Sequence, residues 1–155
     1  MSDNNPMAAH TAQVIITPAM VEAGNLAADR ISTANVVESM DGLGGGMKKA
    51  EAPPEISQYF NRDESSCVLM FLAMDAVSPS PYGKLPSEPM ELAGQEILSD
   101  LISVIFIKKE LEHPDADRSL VTAKHQALLD DPNPPVYLMY QAMMQVAQAQ
   151  LTQEA

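Results

Sequence analysis

The sequence predicts an all-α fold, a small helical bundle of about four or five helices with a mobile or extended N-terminal arm. Three observations predict it. The apolar residues include eleven Met but no Trp, three Phe and four Tyr. Alanine and methionine favour helices, whereas a β core draws on β-branched and aromatic side chains. Helix-start signals recur, with a Ser or Thr followed closely by Pro. Finally, apolar residues return at helical spacing in every long segment between prolines.

The first 16 residues are polar and small up to the apolar Val14 to Ile16. They read as an arm that orders against a partner, or as a short edge strand. Thr17 then stands as N-cap with Pro18 at the first helical position. Met20, Ala23, Ala27, Ile31, Ala34 and Val37 follow at helical spacing, a narrow stripe of small residues suited to close helix contact. The stretch "DGLGGGMKKAEAPPE" breaks the chain, because its glycines permit any backbone geometry and Pro53-Pro54 enforces extension. It lacks the strand-first context and spacing of a phosphate-binding loop, so it reads as a linker. The expected organisation is an arm and amphipathic helix over residues 1–46, a Gly/Pro linker over 47–54, and a compact helical domain over 55–155.

Ser65 or Ser66 can cap a buried helix from Cys67 to about Val77. The four prolines and one glycine of "SPSPYGKLPSEP" make a loop. Ser87 caps the longest helix, with Glu88 and Glu91 near its positive end. Its stripe runs through Met90, Ala93, Ile97, Leu101, Val104 and Leu111, widened by Leu98, Ile102 and Ile105. Lys108 and Lys109 suit its C-terminal end, and His113-Pro114 stops it. A short helix is expected from Asp117 to Leu129, and "DDPNPP" ends it.

The last helix, from Pro135, holds no charge between Val136 and Gln153 in a chain of net charge −12. Val136, Tyr140, Met143, Ala147 and Leu151 share one face, and Gln141, Gln145 and Gln148 another. An exposed helix normally carries charges on its outer side. Glutamines tolerate partial burial without an ionic desolvation cost. Two readings stay open: an ordinary core helix, or a helix packed on several sides by partner chains. On the second, the contact residues are Val136, Tyr140, Met143, Ala147 and Leu151, with Ala27, Ile31 and Ala34 of the first helix.

The segment "KHQALLDDPNPPVYLMYQAMMQ" resembles the second half of needle and inner-rod subunits of type III secretion systems. In that family a helix ends in a Pro/Asp/Asn turn, and a P-x-[LV]-x-x-x-[YL]-Q helix follows. Pro134, Val136, Tyr140 and Gln141 stand at comparable positions. The resemblance implies a helical filament subunit that travels through its own secretion channel.

No catalytic constellation emerges. His10, His113, His125 and Cys67 are far apart in sequence and at no metal-ligand spacing. Cys67 opens an apolar run, where a buried inert thiol outweighs a nucleophile paired with His125. Asp115 and Asp117 lack the glycine and terminal Glu of a calcium loop and read as helix caps. Asp100 with Glu91 or Glu96 could serve as acid and base, but on a solvated face such carboxylates only repel slightly. Neither an enzyme nor a cofactor or metal site is therefore expected.

The 21 acidic against nine basic residues exclude direct nucleic-acid binding and disfavour anionic lipid. The longest central apolar run is interrupted by Asp75 and is too short to span a bilayer. No basic, apolar leader opens the sequence, so the expectation is a chain soluble at synthesis, cytoplasmic or incorporated into an extracellular or virion assembly. The expected function is a non-enzymatic assembly or adaptor subunit with protein partners, as a homo-oligomer or part of a larger complex. The alternative is a small acidic monomeric inhibitor or regulator that covers a basic surface on a partner.

Overall fold

A computed structural model describes residues 13–41, 43 and 46–154, apart from the side chains of Leu120 and Glu154. Most of the expected N-terminal arm lies outside the described residues. Among these, the chain is all-α, as its sequence predicts, and holds six α-helices. They are α1 (Pro18–Met40), α2 (Pro54–Ser57), α3 (Ser66–Asp75), α4 (Glu88–Leu111), α5 (Ala123–Asp130) and α6 (Pro135–Glu154). Two short 3₁₀ turns, Lys49–Glu51 and Arg118–Leu120, sit between them.

The chain divides into two compact units, one spanning Ile15–Leu85 and a second built on Pro86–Ala155. From sequence the break is expected at residues 47–54, but the division comes later, after Leu85. Helix α1 packs on α3 and α2, beyond the Gly/Pro segment, so that segment joins two parts of one unit. It also folds back locally. The Lys49 N–H donates to Asp41 Oδ1 at 3.2 Å, and the Lys49 ammonium lies 5.3 Å from the centre of the Phe60 ring.

In the first unit, α1 begins as the sequence predicts. The Thr17 hydroxyl accepts the Met20 N–H at 3.2 Å, with Pro18 at the first helical position. Met20, Gly24, Ala27, Ile31, Ala34 and Val37 form its buried face. Helix α3, capped by Ser65, is buried on nearly every side through Cys67, Val68, Leu69, Met70, Phe71 and Met74. Its last residue, Asp75, is also buried. The carboxylate accepts the N–H groups of Tyr82 at 2.7 Å and Gly83 at 2.8 Å, which pins the proline-rich loop to the helix end.

In the second unit, α4 packs on α6 and α5. Ser87 caps α4, and its hydroxyl donates to Gln150 Oε1 at 3.0 Å near the far end of α6, so α4 and α6 run antiparallel. The single helix expected over Asp117–Leu129 is split. Asp117 caps the 3₁₀ turn, and Thr122 caps α5 by accepting the His125 N–H at 3.1 Å. Two strong N-cap residues five positions apart start two short elements instead of one helix.

Candidate interaction surface

Helix α6 answers the charge question that its sequence raises. Val136, Leu138, Met139, Tyr140, Met143 and Ala147 are buried where α6 packs on α4. Gln141 and Gln148 are half-buried, and Gln145 is exposed. Of the residues assigned to a partner interface, Val136, Tyr140, Met143 and Ala147 are internal, and Leu151 is exposed at 57%. Ala27, Ile31 and Ala34 are likewise buried on the face that α1 turns to its own unit. Seven of these eight side chains thus already serve as core, and burying them carries the packing energy of the two units.

A large apolar surface left outside lies on α4. One face of that helix holds Met90, Gly94 and Val104 in the core, with Ala93, Ile97 and Leu101 half-buried. The opposite face presents Leu92 at 57% exposure, Ile102 at 57%, Ile105 at 59% and Phe106 at 65%. Leu98, half-buried, lies one turn before Ile102. Sequence reasoning counts Ile102 and Ile105 as a widening of the core stripe and passes over Phe106. The signal is present: apolar residues surround α4 on a wider arc than contact with one long neighbour can cover.

The electrostatics of α4 sort by face. Its two mid-helix acids, Glu96 and Asp100, turn toward α5, where the Lys124 ammonium lies 2.8 Å from Glu96 Oε1 and 2.7 Å from Asp100 Oδ2. That Asp100 oxygen is shut off from solvent, and Lys124 is its partner. The hydrogen bonds from Asp100 and then Glu96 hold the Lys124 ammonium well above the usual lysine range. The outer face keeps Gln95, Leu98, Ser99, Ile102, Ile105 and Phe106, all uncharged, for about three helical turns. Charges return at its ends, with Glu88 and Glu91 in the first turn and Lys108, Lys109 and Glu110 in the last.

At its C-terminal end the face runs into a cleft of about 250 Å³ lined by Phe106, Ile107, Leu111, Ala116 and Val121. Glu110 and Asp117 stand at the same cleft. Hydrogen bonds from the Ser119 hydroxyl and N–H hold the Asp117 carboxyl below its ordinary value. A second cleft of about 360 Å³ lies within the first unit, bordered by Asn35, Glu38, Tyr59, Arg62 and Glu64. Some of its polar groups are engaged with one another: Arg62 makes a two-bond fork to Glu64 at 3.1 Å, and the Asn61 N–H donates to Glu38.

Cys67 is buried with its sulfur 3.4 Å from the Ser65 hydroxyl. Among the described residues, no three His, Cys, Asp or Glu side chains gather into a group that could hold a metal ion. No described helix is long and apolar enough to cross a membrane. No protein-family model, curated protein or solved structure matches the chain.

Proposed function

We propose that the chain is a non-enzymatic assembly or adaptor subunit of a larger complex, of the virion or secretion-machine type, that acts through helix packing. The observation that carries this reading is the uncharged outer face of α4, where Ile102, Ile105 and Phe106 stay more than half exposed. An apolar patch of this kind on an acidic, otherwise well-solvated chain marks a contact site. The contact surface is therefore assigned to α4, in place of the α6 and α1 faces that the units use internally. The resemblance of residues 124–145 to needle and inner-rod subunits points the same way, since their role is also assembly by helix packing.

Light scattering on a size-exclusion column, at two protein concentrations and two salt levels, tests the reading. A species that grows with concentration and survives high salt is the expected result, because apolar contacts are not screened. The net charge of −12 favours a second reading, a small acidic monomeric regulator of a basic partner. A monomer under every condition would overturn the first reading and leave the second.

A further inference from the structure

We infer that the cleft at the C-terminal end of α4 is a binding site for a small organic cation, a primary ammonium carried on an aromatic or branched aliphatic body. The inference stands independently of the assembly reading. The cleft lies within the second unit and measures about 250 Å³. Phe106, Ile107 and Leu111 of α4 wall it, together with Ala116 and Val121 of the segment that follows. A dry apolar cavity of about 150 Å³ takes a benzene ring, so this cleft has room for a ring with a tail of about three atoms. Such a body gains by leaving water for these five apolar side chains.

The charge of the ligand follows from the two ionisable side chains at the cleft, Glu110 and Asp117, which are both carboxylates. Among the described residues the Glu110 carboxylate takes no ion pair and no hydrogen bond. Ser119 bonds one oxygen of Asp117 and thereby favours its charged form. Lys108 and Lys109 point elsewhere, each about 130° around α4 from the middle of the face that lines the cleft. His113 and Arg118 do not line it either. None of these four basic side chains pairs with Glu110 or Asp117 among the described residues. The negative charge at the cleft is therefore uncompensated. An anion is repelled there, and a neutral apolar molecule gains nothing from the carboxylates. A primary ammonium brings one positive charge and three donors, enough to serve both.

Two probes of one shape separate charge from burial: phenethylammonium and its neutral counterpart, phenethyl alcohol. Methyl NMR on the full chain follows Ile107, Leu111, Ala116 and Val121 as each probe is added. The ammonium should shift these methyls and bind about tenfold more tightly than the alcohol. Glu110→Gln, at an exposed position where the fold is not at risk, should remove most of that advantage and leave the alcohol's affinity unchanged.

Equal affinity for the two probes, an E110Q chain that binds the ammonium as the parent does, or no shift of these methyls at millimolar ammonium would each overturn the assignment. Shifts of the same methyls on raising the protein concentration, with none from the ammonium, would overturn it too and give the cleft to a second copy of the chain.

Discussion

Asp75 and Gly83 are joined by a hydrogen bond of 2.8 Å from the Gly83 N–H to the buried Asp75 carboxylate, and the Tyr82 N–H donates to its other oxygen at 2.7 Å. The placement needs these donors. A carboxylate in the last turn of α3 faces the negative end of the helix dipole, and burial raises the cost of its charge. Gly83 supplies the second donor from a φ of 81°, a left-handed geometry that glycine adopts without strain. The same turn sets the Tyr82 ring edge-on to Phe71, with centroids 6.0 Å apart.

Removing that carboxylate should therefore free the whole loop. Asp75→Ala is expected to destabilise the first unit by about 2–3 kcal/mol, the range for charge-assisted hydrogen bonds whose partners are part-buried. Asp75→Asn keeps one acceptor oxygen and should cost less. Urea unfolding measures the difference. Hydrogen exchange at the Tyr82 and Gly83 amides should rise in both variants and most in the alanine variant.

Lys124 should act as the clamp that holds α5 on α4. Its ammonium bridges Glu96 and Asp100, and it is held above its unfolded value. A raised lysine pKa contributes stability that is fully present below the unfolded value and is lost only as pH rises through the folded one. The clamp should accordingly be fully present from neutral pH up to the ordinary lysine value and weaken progressively above it. Lys124→Met should speed exchange of the α5 amides while leaving α6 protected. Because Lys124 is half exposed, only a local effect is expected.

Helix starts were legible in the sequence because their signals are local. Thr17, Ser65 and Ser87 cap the helices that their side chains predict, and Thr17-Pro18 and Ser87 with Pro89 open the two longest helices in one way. What was not legible depends on which helix meets which. The Gly/Pro segment reads as a domain break, yet α1 returns across it to pack on α3. The neutral face of α6 reads as core or as contact, and only the antiparallel packing on α4 decides. The outer face of α4 escapes notice for the same reason: periodicity finds an apolar arc but not how much of it a neighbour covers.

Cys67 supplies a probe of unit integrity. At 2% exposure its thiol should react slowly with a thiol reagent in the native chain and at full rate in denaturant. The native rate then reports opening of the α1–α3 packing. Ala27→Gly, which loosens the facing helix, should raise that rate several-fold. A native thiol that labels as fast as the unfolded one would contradict the burial of α3.

The sharpest contrast lies between Met143 and Ile102, one on each side of the core–surface boundary of the second unit. From sequence, Met143 belongs to an outward contact face, and its replacement by Glu should give a folded monomer. Met143 is 0% exposed, so Met143→Glu forces a charge into the interior, and a loss above about 4 kcal/mol is expected. That loss is enough to unfold a small unit. Ile102 is 57% exposed, so Ile102→Glu should change stability by less than about 1 kcal/mol and abolish association instead. Urea unfolding combined with light scattering on both variants separates the cases. A folded, monomeric M143E chain with an unaffected I102E chain would return the contact surface to α6.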